Sequence, residues 1–198
     1  MKFRNLVTHN GFALLVSLFL ATGILMGQAA APSPEQKDDA AGFKEFMGRV
    51  DQYVKLRDPI EKKLPALKSK EELPEMIAAH QQALARKIRE ARPHAKPGDI
   101  FTPAAREAFK HMIRSEFKDP QHTTARNVVK QRDPLKGVRL RVNGLYPNAV
   151  AETTFPATLL QKLPTLPDEL GYRIVGRDLV LVDKKANLVV DLLHEACP

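Results

Sequence analysis

Near the end of the chain, Tyr172-Arg173-Ile174-Val175-Gly176-Arg177-Asp178-Leu179-Val180-Leu181-Val182-Asp183 constrains the fold more than any other stretch. β-Branched and aliphatic residues run up to Gly176-Arg177 and away from it again, which predicts a β-hairpin with a two-residue turn. Gly176 supplies the positive φ that the first central position of a type II′ turn requires. Parity selects this register. Pairing Ile174 with Leu179 and Tyr172 with Leu181 puts four apolar side chains on one face and leaves Arg173, Val175, Val180 and Val182 on the other. A three-residue loop would pair Ile174 with Val180 and mix the faces, which a half-buried sheet resists. Gly176 and Arg177 are therefore structural turn residues.

A hairpin needs something to cover its apolar face, and the preceding sequence offers three amphipathic helices. Phe43, Phe46, Met47, Val50, Tyr53 and Val54 recur at helical spacing, with Asp58-Pro59 as the expected stop and a kinked extension through Ile60, Leu64 and Leu67 as the alternative. Pro74 to Arg92 carries Ile77, Leu84, Ala85, Ile88 and Ala91 on one stripe. Thr102-Pro103 is an N-cap followed by proline at the first helical position, ahead of Ala105, Phe109, Met112, Ile113 and Phe117, and Asp119-Pro120 closes that helix. The expected class is α+β: about three helices packed with a small antiparallel sheet centred on the 172–183 hairpin. Val138 to Val142 alternates as a half-buried strand does, and Pro156 starts a short helix through Lys162. Asn187 to Leu193 reads equally as a third strand or a closing helix. With no Trp and 6% aromatic residues, the core is expected to be mainly aliphatic.

Residues 1–29 read as a signal peptide: Lys2 and Arg4, an apolar run from Phe12 to Met26, and small residues permitting cleavage after Ala29. Retention as an N-terminal anchor is the alternative; after removal no transmembrane segment is expected. Residues 30–40 read as a flexible lead-in, 41–118 as a helical part, 119–137 as a basic loop and 138–198 as an α+β part, with 41–198 one domain. Without Lys2 and Arg4 the 31 basic residues fall to 29 against 23 acidic ones, a net charge of +6. Cys197 is the sole cysteine, so no internal disulfide is possible.

The C-terminal pattern Leu163-Pro164-x-Leu166-Pro167, then the hairpin, then Ala186-Asn187-Leu188-Val189-Val190-Asp191 resembles the ending of a family of small exported bacterial proteins without an assigned activity. Gly98-Asp99-Ile100-Phe101-Thr102-Pro103 belongs to the same likeness. More loosely, the C-terminal hairpin is similar to the module that ends periplasmic proteins of nickel and cobalt homeostasis. The resemblance implies a periplasmic or secreted location and a small α+β fold. It carries over no catalytic residue and no cofactor.

Chemistry-bearing residues point to no active site. His80, His94, His111, His122 and His194 form no HxH, HxxH or HxxxH pair, and Glu107 with His111 is a two-ligand pair at most. Ser33, Ser69 and Ser115 lie in no G-x-S-x-G elbow. Cys197, at the penultimate position, reads as a mobile thiol, incidental or forming an intermolecular disulfide. Asp99, Asp133, Asp178, Asp183 and Asp191 are the carboxylates that could pair in space as acid and base, but Asp178 and Asp183 are assigned to the turn and a strand end, and nothing places another carboxylate opposite Asp99 or Asp133. No catalytic, cofactor or metal residue is assigned.

Charge gives the one functional direction. Arg126, Lys130, Arg132, Lys136, Arg139 and Arg141 stand against Asp133 alone, placing +5 in sixteen residues. Export disfavours nucleic acid as the partner of such a patch and favours anionic envelope components or another envelope protein. The expected function is a non-enzymatic cell-envelope or interaction protein; a small periplasmic metal-responsive protein is the alternative, and a periplasmic enzyme the third.

Overall fold

Ser33 starts the first helix. Its hydroxyl accepts from the Gln36 N–H while Gln36 Oε1 accepts from the Ser33 N–H, and Pro34 occupies the first turn, where its missing N–H costs nothing. The computed structural model describes residues 33–66, 74–118, 139–147 and 155–198, which belong to one compact unit. Its helices are α1 (Pro34–Lys62), α2 (Pro74–Ala91), α3 (Pro103–Lys118) and a short α4 (Ala157–Lys162). The strands β1 (Leu170–Val175), β2 (Asp178–Asp183) and β3 (Leu188–Leu193) form an antiparallel sheet in the order β1-β2-β3. The fold is α+β. Among the described residues, no helix is long and apolar enough to cross a membrane.

The hairpin has the register that parity requires: Tyr172 opposite Leu181, Ile174 opposite Leu179, and Val175 opposite Asp178. Gly176 has φ +58° and Arg177 is not in the positive-φ region, as a type II′ turn demands and a type I′ turn does not. The run at 187–193 is a strand. Asn187 takes φ +47° at the turn into β3, which pairs with β2 in a register broken by a bulge that leaves Val190 without a partner. The bulge lets the consecutive Val190 and Asp191 both serve the helical side of the sheet, Val190 in the core and Asp191 on the loop before α3.

One face of the sheet packs on the four described helices, joining Tyr172, Ile174, Leu179 and Leu181 to Val50, Leu84, Ile88, Ile113 and Leu159. The core is mainly aliphatic, as expected from composition. Few as they are, the aromatic residues converge at its centre: Phe46 lies 5.2 Å from Phe101, 4.8 Å from Phe109 and 6.2 Å from Tyr172, centroid to centroid. Such pairs gain beyond the area they bury. Close approach of α1 to α3 depends on Gly42, where a Cβ would lie 2.6 Å from the Ala104 carbonyl oxygen.

Four expectations change. Residues 34–40, placed in a flexible lead-in, are helical because the Ser33 cap nucleates them, and Asp39 ties them to His111 of α3 at 2.5 Å. Asp58-Pro59 does not end α1, which continues to Lys62 with Pro59 inside. Its neighbours Arg57 and Glu61 hold that last turn against the sheet, which outweighs the one hydrogen bond that proline removes. Residues 139–141 form no strand; they are followed by a turn in which Asn143 has φ 63°. Their alternation nevertheless survives as packing. Leu140, Val142 and Tyr146 cover the second sheet face over Val180, Val182, Val189 and Leu192, while Val189 of β3 exchanges edge hydrogen bonds with Asn143 and Gly144, and the Asn187 carbonyl just before it accepts from the Tyr146 N–H. The first half of α2 is exposed: Ile77, expected in the buried stripe, is 45% accessible, and Ala91 is exposed as well.

Candidate functional site

Two buried carboxylates on the sheet hold the helical layer. Asp183, at the end of β2, is fully buried; its Oδ2 accepts from the Tyr53 hydroxyl at 2.9 Å and Arg57 Nε at 2.8 Å, and its Oδ1 accepts from the Ala186 N–H at 2.8 Å. Tyr53 and Arg57 are one helical turn apart on α1, so both reach the same carboxylate. Arg57 also donates to Glu61 at 2.5 Å and Asp58 at 3.1 Å, and Lys185 reaches Glu61 at 2.8 Å. Burial works against the Arg57 charge, but the Asp183 and Glu61 carboxylates overcome it and hold its pKa above the ordinary arginine value. Burial, then the Asp183 charge, pushes the Tyr53 phenol well up, so it remains a neutral donor.

Asp191 is the second. Its carboxylate accepts from the backbone N–H groups of Gly98 (3.0 Å), Ile100 (2.7 Å), Phe101 (2.8 Å) and Leu192 (2.8 Å), clamping the Gly-Asp-Ile-Phe segment to β3. Burial raises its pKa, and the four N–H donors work in the opposite direction. Gly98 takes φ +92° inside this segment. Thr102 then caps α3, accepting from the Ala105 N–H at 3.4 Å, and the chain enters the helix at Pro103.

Between these clamps lies a cleft of about 450 Å³. Glu45, Arg49, Gln52 and Leu56, at helical spacing on α1, form one wall; Gly98 to Pro103 supplies the other. Buried Tyr53, Ile100 and Thr102 line it from beneath. Arg92, just past α2, sits with its guanidinium carbon 5.1 Å from the centroid of the Tyr53 ring and makes two long contacts of 3.4 Å to the Val190 carbonyl. Sequence reasoning missed this site. Its only advance signal was Tyr53 and Arg57 continuing the apolar stripe of α1, an arginine where a core side chain is expected.

The structure distributes the residues singled out from sequence as follows. In the basic patch, Arg139 and Arg141 are both exposed while Leu140 and Val142 are half-buried; Arg126, Lys130, Arg132 and Lys136 lie outside the described residues, as do the signal segment 1–29, Ser69, His122 and Asp133. Asp178 accepts from the Glu195 N–H at 3.0 Å and contacts His194 at 3.0 Å. Asp99 accepts from the Lys96 N–H at 2.9 Å. His111 faces Asp39 on α1 rather than forming a site with Glu107. His80 is half-buried beside a groove between the ends of α1 and α2. Among the described residues, no three His, Cys, Asp or Glu side chains are grouped to hold a metal ion. Cys197 is corrected: it is fully buried rather than mobile, its N–H donating to the Arg177 carbonyl at 3.0 Å while Arg177 Nε donates to the Cys197 carbonyl at 3.1 Å. Burial of that thiol also opposes the intermolecular disulfide. Comparison with protein-family models, curated proteins and solved structures returns no match.

Proposed function

We propose that this is an exported, non-enzymatic protein of the cell envelope that contacts anionic envelope components through the basic stretch 126–141. The observation that carries this reading is the joint exposure of Arg139 and Arg141, whose neighbours Leu140 and Val142 anchor the backbone on the second sheet face. Two guanidinium groups held on a packed segment lose less freedom on meeting a charged surface than the same groups on a free chain. Export rests on the N-terminal pattern of Lys2, Arg4, the apolar run and the small residues around Ala29. A structural rather than catalytic role fits the buried carboxylates: Asp183 and Asp191 have both oxygens engaged in tying helices and loop to the sheet.

Mass spectrometry of protein from its native host is expected to find an N-terminus near Ala30 in the periplasmic or secreted fraction; intact Met1 in the membrane fraction would refute export. Wild-type protein is expected to sediment with vesicles containing anionic lipid at low salt, and a variant with the six basic residues changed to glutamine to remain in solution. Failure of the wild type to sediment even at low salt would remove the anionic-partner reading.

A further inference from the structure

The cleft between α1 and the Gly98–Pro103 segment has a charge pattern that selects its ligand. Two carboxylates, Glu45 and Asp99, and two guanidinium groups, Arg49 and Arg92, line the same space of about 450 Å³. A simple anion entering it would meet both carboxylates, and a simple cation would meet both arginines. A molecule carrying one charge of each sign is the species whose charges can all be matched. The volume falls within the range of small-molecule sites, at its small end.

Arg92 is held but under-used. Its ring contact with Tyr53 and the two 3.4 Å contacts to the Val190 carbonyl fix the guanidinium plane, yet those contacts are at the long limit for hydrogen bonds, and the group carries five N–H donors. Tyr53 is itself locked by Asp183, so the support beneath Arg92 extends to the sheet. Asp99 is oriented by the Lys96 N–H through Oδ2. Leu56, Ile100 and Pro103 add apolar surface for a ligand's uncharged part. Nothing in this arrangement depends on the basic stretch at 126–141.

We propose that this cleft binds a small zwitterion of the amino-acid class, with its carboxylate on Arg92 and Arg49 and its ammonium group on Glu45 and Asp99.

The test is isothermal titration of the full protein with each of the standard L-amino acids in turn. For any that binds, the matching amine without a carboxylate and the matching N-acetylated acid are titrated as well. Binding of at least one amino acid is expected, with each single-charge analogue weaker by roughly tenfold or more, the scale of a lost charge-assisted hydrogen bond. Arg49→Gln and Glu45→Gln are both exposed on α1, so each is expected to weaken binding by a similar factor without shifting the melting temperature. Absence of binding by every amino acid to the folded wild type would overturn the proposal. So would equal binding of a single-charge analogue, or undiminished binding by the Arg49→Gln, Glu45→Gln double variant.

Discussion

Replacing Arg57 by methionine keeps most of the buried volume and removes the charge opposite Asp183. Asp183 then retains only the Tyr53 hydroxyl and the Ala186 N–H, and its second oxygen loses the 2.8 Å bond from Arg57 Nε. Both members of the pair are fully buried, so water cannot take over. Removing one partner of a buried ion pair costs about 3–5 kcal/mol. The lower end applies, because two donors remain on Asp183 and because Glu61 keeps Lys185 when Arg57 is lost. Asp183→Asn is expected to cost a similar amount by leaving the guanidinium under-compensated. The double variant buries neither charge and is expected to lose less than the sum of the two, by about 1–3 kcal/mol of coupling. Urea denaturation measures all four species: with m near 1–3 kcal/mol/M, a loss of about 3 kcal/mol moves the midpoint by roughly 1–3 M at unchanged m. A loss below about 1 kcal/mol for Arg57→Met, or strict additivity in the double variant, would refute the view that this pair clamps α1 to the sheet.

Gly42→Ala should destabilise by about 1–3 kcal/mol, because the new methyl group meets the Ala104 carbonyl and Ala108 Cβ, whereas Gly48→Ala in the same helix meets open space and should gain up to ~1 kcal/mol; calorimetric melting separates them. Gly176→Val should cost about 1–3 kcal/mol from backbone strain alone, since no atom lies near its Cβ. From sequence, Arg177→Ala next door would be nearly neutral; with the Nε bond to the Cys197 carbonyl in view, about 1 kcal/mol is expected instead, again read by melting. The hydrogen bond and charge of Asp39 raise the His111 pKa above its ordinary value, so this pair stabilises the fold fully below about pH 6.5 and the gain is lost as pH rises through the raised value. An NMR titration should show the His111 pKa falling back in Asp39→Asn, with a stability cost under ~1 kcal/mol because the imidazole is solvent-exposed.

The hairpin was legible because register, turn residue and face parity are local and mutually constraining: Ile174, Leu179 and Gly176 allow one answer. Helix α3 was legible for the same reason, with Thr102 and Pro103 marking its start. The 187–193 run was not decidable, because a seven-residue apolar stretch has no period and only pairing with β2 makes it a strand. Pro59 misled because its local cost at the end of α1 is outweighed by Arg57, whose partner Asp183 lies far away in sequence. The 139–142 segment showed strand alternation because its side chains do alternate between solvent and sheet, although backbone pairing with the sheet begins only beyond it, at Asn143, Gly144 and the Leu145–Leu188 bridge. The cleft could not be read in advance: Glu45, Arg49, Arg92 and Asp99 come from three separate segments and spell no motif.

Vesicle partitioning of an Arg139→Gln, Arg141→Gln variant across a salt series tests the proposed envelope contact most directly, because both residues are seen exposed on a packed segment. Each arginine near an anionic surface contributes about 1 kcal/mol, so the pair should account for about 2 kcal/mol, or roughly 30-fold in partitioning at low salt. The difference should shrink toward none as the Debye length falls to ~3 Å at molar salt. Partitioning of wild type and variant that is equal at low salt, or wild-type partitioning insensitive to salt, would contradict the account.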